Sequence, residues 1–323
     1  MRRKENLNDM AQTRKRRKKG KLRKGRIFFT ALFLLAIIGG VYFYLQYKSG
    51  EQLAVGEEAP EKATLEFNGD PQSNKDIENI LLVGVDSRGE KQSRSDTMML
   101  ASWNKATNDV KLVSFMRDIY ADIPGYKSYK LNTAYYLDGA DLLKATLKQM
   151  FDVEINHVAV VDFKNFEKVV DVAAPNGVEV TVPHDMSKNI GVKLKKGTQR
   201  LNGKELLGFA RFRYDAQGDF GRVERQQQAI EALKKEVLQV ENVKNYPKLL
   251  GVVQGSIQSD LTKGDQLKML LGAVKGGDVK IEKLTIPVEN SYTFANVPGS
   301  GSVIQINLEQ NIQALDKFLR FNQ

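Results

Sequence analysis

Residues 27–45 form an unbroken run of 19 positions without a charge. As a helix rising about 1.5 Å per residue, the run would span roughly 28 Å, enough to cross the hydrocarbon core of a bilayer. The apolar core of a secretory signal is shorter, roughly 7–15 residues, and ends in small residues at a cleavage site. Here Tyr42, Phe43, Tyr44 and Tyr47 follow instead, the aromatic chemistry of a membrane interface. The pattern predicts an uncleaved single-span transmembrane anchor over 27–46. Residues 47–77 then turn polar, with Pro60 and Pro71 and no sustained period, as a spacer or lead-in does.

From 78 to 323 the pattern alternates between two periods. Apolar runs predict strands over 80–85, 97–103 and 110–116, the last two joined by the polar turn 104–109. A helix over 138–151 is carried by Leu142, Leu143, Leu147, Met150 and Phe151. A strand over 157–163, a helix over 164–173 and a strand over 177–182 come next. Helices are expected at 203–210, 219–241, 246–254, 263–274 and 307–321, with a strand near 280–287. This order predicts an α/β domain over 78–323, a mixed central sheet flanked by helices.

Loop lengths add a geometric expectation. Eleven residues separate 85 from 97, too few for a parallel crossover, and the next connection is shorter still. Strand two should therefore run antiparallel to strand one, and strand three antiparallel to strand two. The end of the first, the start of the second and the end of the third then share one sheet edge. Asp86, Arg88, Arg94, Asp96, Arg117 and Asp118 all stand there.

Charge changes the picture in one respect. Residues 1–26 hold 13 Lys/Arg against two acids, while the rest holds 36 basic and 37 acidic residues, so the whole excess behind the formal net charge of +10 sits in the tail. Such a tail stays on the cytoplasmic side of a membrane. The expected topology is single-pass type II, with the neutral domain outside the cell. A DNA-binding reading of the tail would need domain and DNA on one side of the membrane, so no nucleic-acid partner is expected. The chain has no cysteine and two histidines, which excludes disulfides, thiolate metal sites and a three-histidine site. His157 and His184 read as edge or loop residues and Trp103 as core. The stretch from Gly197 to Gly203-Lys204 fails as a P-loop, with five intervening residues and Glu205 where Ser or Thr belongs.

Arginine is disfavoured after residue 26, with nine against 27 lysines, yet seven of the nine fall in three short segments. These are Arg88 and Arg94, then Arg117, then Arg211, Arg213, Arg222 and Arg225. A planar five-donor fork that never loses its charge suits phosphate oxygens. With Asp86 and Asp96 beside them, the arginines resemble a centre in which a hard cation and guanidinium groups hold a phosphate. In the last segment Asp219 is expected to cap a helix, with Arg222 in its first turn and Arg225 and Gln226 just beyond. Cations at that helix end are tolerable chiefly if an anion also binds there.

Six stretches then carry a resemblance: 79–88 (NILLVGVDSR), 94–100 (RSDTMML), 114–118 (SFMRD), 130–134 (KLNTA), 201–213 (LNGKELLGFARFR) and 219–228 (DFGRVERQQQ). In that order the chain resembles the LytR-CpsA-Psr family of Gram-positive cell-envelope proteins, near its MsrR-like branch. The resemblance implies a membrane-bound transferase that moves an anionic glycopolymer, wall teichoic acid or similar, from a polyprenyl-pyrophosphate carrier to peptidoglycan. It implies Mg²⁺, or Mn²⁺ in its place, held by Asp86 and Asp96. It matches Arg94, Arg117, Arg211, Arg213, Arg222 and Gln226 to pyrophosphate contacts, with Arg88 in the same motif. Arg117, Asp118, Arg211 and Arg213 are the expected catalytic group, and either Asp118 or Asp86 would take the acceptor proton. Met116 replaces the usual proline before the Arg-Asp pair, and Asp138-Gly139 replaces Gly-Gly. Pyrophosphate hydrolysis and a non-catalytic lipid-pyrophosphate sensor or transcriptional attenuator remain the alternatives.

Overall fold

The computed structural model of the chain describes residues 24–55, 65–86, 93–275 and 279–321. In chain order, helix α1 (Lys24–Val55) precedes strands β1 (Ile77–Val85), β2 (Ser95–Asn104) and β3 (Val110–Phe115), then the two-residue strands β4 (Tyr120–Ala121) and β5 (Tyr129–Lys130). Next come helix α2 (Asn132–Phe151), β6 (His157–Asp162), α3 (Phe163–Ala173), β7 (Val178–Val182), β8 (Gly197–Leu201), α4 (Gly203–Arg211) and α5 (Gly218–Val237). A 3₁₀ turn leads into α6 (Tyr246–Ser256), β9 (Ile257–Ser259), α7 (Lys263–Lys275), β10 (Ile281–Ile286), β11 (Tyr292–Val297), β12 (Gly301–Ile306) and α8 (Leu308–Leu319).

Six strands make one mixed sheet, ordered β10-β3-β2-β1-β6-β9. The short connections force what loop length predicts: β1 and β2 are antiparallel, as are β2 and β3. Strand β6 lies parallel to β1 on its other side, and β10 lies parallel to β3. Alternation along the strands serves two layers. Leu81, Val83 and Val85 of β1, with Met98 and Leu100 of β2 and Val158 and Val160 of β6, bury against Leu143, Leu147 and Phe151 of α2. Their neighbours Leu82, Gly84, Thr97, Met99, Ala159 and Val161 face the opposite layer, beside Phe166 of α3 and Leu207 of α4. A satellite core joins the β7–β8 hairpin to α3, α4 and α5.

Local chemistry sets the helix ends. Asn202 and Glu205 form a reciprocal capping box on α4, and Asp162 accepts from Lys164 N–H at the start of α3. Helix α2 begins six residues before the expected start, and Asp138-Gly139 is a kink inside it. Gly139 adopts φ 64 and ψ −152, a region open only to glycine, whereas Asp138 stays at negative φ, so the second glycine of the family pattern is the one this bend needs. Helix α5 ends at Val237, short of the expected 241, where the 3₁₀ turn takes over.

Two compact units divide the chain at residues 43 and 44. In the first, the described side chains of α1, among them Leu32, Phe33, Leu35, Ile38 and Val41, are exposed. Among the described residues no helix is long and apolar enough to cross a membrane. Residues 1–23 of the expected basic tail 1–26 lie outside the described residues. In the second unit, residues 44–55 of α1 pack on α6 so closely that a Cβ on Gly251 would stand 2.0 Å from the Tyr47 carbonyl oxygen. Part of the expected spacer is thus packed structure. Asp70, too, is held by Lys148 at 2.8 Å and accepts from Ile155 N–H at 3.1 Å.

Candidate active site

The sheet edge predicted from loop lengths is where the charges gather. A cleft of about 420 Å³ lies there, lined by Asp86, Asp96, Arg117, Arg211, Arg213, Arg222 and Gln226, and completed by Phe163, Asn189 and Tyr214. Asp86 follows β1, Asp96 is the second residue of β2, Arg117 follows β3, Arg211 ends α4, Arg213 lies in the loop after it, and Arg222 stands near the start of α5.

Arg117 is the hub. Its Nη1 donates to Asp96 at 2.6 Å and its Nε to Asp219 at 3.2 Å, with Asp118 3.6 Å away. Burial opposes its charge, but the three carboxylates outweigh that and raise its pKa. Arg222 stands in the reverse condition. It is 6% exposed, its nearest carboxylate oxygen (Asp219) is 3.5 Å away, and its Nε has no hydrogen-bond partner. Burial, and then the like charge of Arg117, lower its pKa. A buried guanidinium with an idle donor and a like charge beside it is a place made for an anion.

Asp219 is not the helix cap expected of it. The Asp215 carboxylate accepts from the N–H groups of Gln217 and Gly218 at 3.1 and 2.9 Å, which covers the start of α5. Asp219 is thereby free to turn inward between Arg117 and Arg222. Burial would raise its pKa; Arg222 and Arg117 together hold it below the usual carboxylate range.

Arg211 ends α4, donates to Asp86 at 3.2 Å and lies 4.7 Å from the centre of the Phe163 ring. Phe212 is extended and buried, so Arg211 and Arg213 reach the same cleft from either side of it. Gln226 Nε2 donates to the Thr97 hydroxyl at 2.9 Å.

Other expected residues lie elsewhere. Arg225 is 3% exposed and faces away from the cleft, bonded to Asp215 at 2.7 Å and to the Phe212 carbonyl at 2.5 Å. It braces the loop that carries Arg213. Arg94 is exposed and rests over the Tyr136 ring at 5.8 Å. Asp118 stands behind Arg117, paired with Lys130 at 2.7 Å. Arg88 falls outside the described residues. His157 is at the opposite end of the sheet, where its bond to Asp260 at 2.8 Å raises its pKa. Lys130, Asn189, Tyr214 and Phe163 were not singled out from the sequence. Lys130 lay inside a quoted motif, and the others carried no signal.

An apolar slot of about 230 Å³ shares Phe163, Arg211 and Gln226 with the cleft. Its walls are the second face of the sheet and the helices over it: Leu82, Met99, Ala159, Val161, Phe166, Leu207 and Ile230. Cleft and slot thus set positive charge beside an apolar surface.

A family model, the LytR_cpsA_psr family, matches residues 41–317. The chain belongs to the LytR_cpsA_psr family. It is 43% identical over 279 residues to the Regulatory protein MsrR of Staphylococcus aureus (strain COL), covering 86% of this chain and 85% of that one. It is 33% identical to the polyisoprenyl-teichoic acid–peptidoglycan teichoic acid transferase TagU of Bacillus cereus (strain AH820), over 76% of this chain and 82% of TagU. The solved structure of TagT bound to LI-WTA superposes with a TM-score of 0.61 at 26% identity, covering 80% of this chain and 93% of that one.

The donors of this LytR_cpsA_psr cleft suit a hard cation that shares its shell with a substrate. Asp86 and Asp96 both line the cleft, and among the described residues no group of three or more His, Cys, Asp or Glu could hold a metal. Magnesium binds through one or two carboxylates, waters and phosphate oxygens, and needs no all-protein cage. Asp96 is paired with Arg117 and Asp86 with Arg211, so a cation here would need further ligands from outside the protein to complete its shell.

Proposed function

We propose that this protein is an envelope phosphotransferase that moves an anionic glycopolymer, wall teichoic acid or a similar polymer, from a polyprenyl-pyrophosphate carrier to peptidoglycan. One juxtaposition carries the reading: the arginine-lined cleft and the apolar slot share three side chains. A ligand that is a diphosphate at one end and a hydrocarbon chain at the other matches both, and a soluble nucleotide or free phosphate would leave the slot unused. The names of TagU and TagT's ligand support the same chemistry.

Arg117, Arg211, Arg213 and Arg222 hold the diphosphate oxygens, and Gln226 adds a neutral donor. Asp86 and Asp96 would hold Mg²⁺, or Mn²⁺, which when bound neutralises diphosphate charge. The acceptor hydroxyl oxygen forms a bond to the phosphorus that carries the polymer sugar. The bond from that phosphorus to the lipid phosphate breaks, and the hydroxyl proton passes to a carboxylate, Asp118 or Asp86. Lipid monophosphate leaves. Most of the acceleration then comes from positioning and from fixed charge around the phosphoryl group.

The assay uses the full chain in detergent, a synthetic polyprenyl-pyrophosphate glycan, peptidoglycan oligomers and Mg²⁺, with products read by mass spectrometry. A glycan–peptidoglycan phosphodiester is expected, lost with EDTA and reduced at least about 100-fold in Arg117→Ala. Lipid phosphate released without that adduct would make the protein a hydrolase. Tight donor binding without turnover would make it a sensor. The placement we propose is single-pass type II, with 1–26 cytoplasmic, 27–46 as anchor and 78–323 outside, on the charge asymmetry of the tail. Protease added to intact spheroplasts should remove a C-terminal tag; a protected tag would overturn this topology.

A further inference from the structure

The hairpin β11–β12 is fastened to the catalytic segment. Ile304 N–H donates to the Asp118 carbonyl at 2.8 Å, and Ile304 bridges Ile119 beside it. Between this hairpin and the first turn of α5 lies a second cavity, of about 290 Å³. Its lining includes Asp118 and Asp219, both of which contact Arg117 of the diphosphate cleft, together with Phe220, Phe294 and Ser302. The two cavities thus stand on either side of one ion-pair cluster.

Its wall includes an exposed aromatic side chain. Phe294 is 67% exposed, the highest among the large apolar side chains described. It is also held in place: Phe220 stacks on Tyr292 at 5.1 Å between ring centres, and Tyr292 meets Phe294 edge-on at 5.7 Å. A lone exposed phenylalanine means little. A fixed one at the mouth of a cavity edged with carboxylates and a hydroxyl is a different object. A pyranose ring presents an apolar C–H face with a rim of hydroxyl groups, which suits an aromatic face surrounded by acceptors.

We propose that this cavity is the acceptor subsite: a neutral amino-sugar glycan of peptidoglycan type stacks on Phe294, and its hydroxyl reaches the phosphoryl centre past Asp118. The inference rests on the transferase reading for the identity of the glycan, and on Phe294 and the cavity for its place. Asp118, Asp215 and Asp219 of this cavity are each ion-paired, so the lining offers hydrogen-bond acceptors to a neutral glycan, whereas the diphosphate is met by the arginines of the cleft. Placing the acceptor here also selects Asp118 over Asp86 as the proton-accepting group, since Asp118 lines this cavity and Asp86 does not.

The test measures glycan binding and transfer separately, on the full chain in detergent. Uncrosslinked, polymer-free glycan-strand oligomers are titrated calorimetrically without donor. Binding should persist in Arg211→Ala, which removes a donor-cleft arginine paired with Asp86 rather than with the carboxylates of this cavity, and weaken about tenfold or more in Phe294→Ala. Phe294→Tyr, which keeps the ring, should retain it. In the transfer assay Phe294→Ala should raise the acceptor KM by a similar factor. No binding to the wild type, or binding lost in Arg211→Ala and kept in Phe294→Ala, overturns the subsite. Binding that follows the expected pattern without any transfer would leave the subsite standing and defeat the transferase reading instead.

Discussion

At the scale of single residues, Arg222 and Asp219 make opposite predictions from one ion-pair cluster. Arg222 is buried with an idle Nε and a depressed pKa, so in the absence of ligand its charge costs stability. Arg222→Met should therefore be at least as thermostable as the wild type while losing roughly 100-fold in donor affinity. Asp219→Asn removes the carboxylate between two guanidinium groups and should cost about 2–4 kcal/mol. The depressed pKa of Asp219 gives the sign of the pH dependence. Its contribution is complete above the unfolded value of about 3.9 and disappears as pH falls through the lower folded value. Denaturant melts from pH 7 down to 3 should show the gap between wild type and Asp219→Asn narrowing on the acid side. A destabilised Arg222→Met with intact donor binding would show that this arginine is a structural brace. Met116 belongs at the same scale. Its N–H donates to the Ile286 carbonyl at 3.0 Å, a bond the family's usual proline could not make.

At the scale of elements, what the sequence revealed follows from how much each segment buries. The long strands β1, β2, β3 and β6 are apolar runs in a sheet that helices cover on both sides, and their positions were readable within a few residues. Their antiparallel order was readable too, because an 11-residue gap leaves the chain little choice. The strands that went unread are short or little buried: β4 and β5 have two residues each, β9 has three, and β8, β11 and β12 have at most two buried positions each. The hairpin that shapes the second cavity was therefore silent in the sequence. In the site, the choice of arginine over lysine marked the right segments, but not which way each side chain turns. Arg225 follows Arg222 by three positions, yet Asp215 draws it inward, because the loop before Gly218 folds back over the start of α5. The same fold-back displaced Asp219 from its expected capping role. Loop conformation of this kind depends on contacts between residues far apart in the chain, and local periodicity does not record them.

At the scale of the whole molecule, the division of labour between cleft and slot yields a prediction that needs no catalysis. The sheet carries two different faces: one is filled by α2, while the other is left with an apolar void beneath α3 and α4. Filling that void would normally be favourable, since empty apolar space forfeits contacts and a well-packed core does not keep it without cause. Its retention beside the arginines makes sense if a hydrocarbon chain completes the packing when the diphosphate binds. Ala159 lines the slot on β6, with its neighbours Val158 and Val160 turned to the other face. Ala159→Phe should occupy the slot from within, leaving the fold as stable as before or more so. Affinity for a long-chain polyprenyl pyrophosphate should then fall about tenfold or more, while affinity for inorganic pyrophosphate with Mg²⁺ stays the same. Calorimetric titration of both ligands against both proteins reads the difference directly. An equal loss for the two ligands would mean that the substitution had distorted the cleft, and no loss for either would mean that the lipid lies elsewhere. Loss confined to the long-chain ligand would tie the hydrocarbon to the second face of the sheet and the charge to its edge.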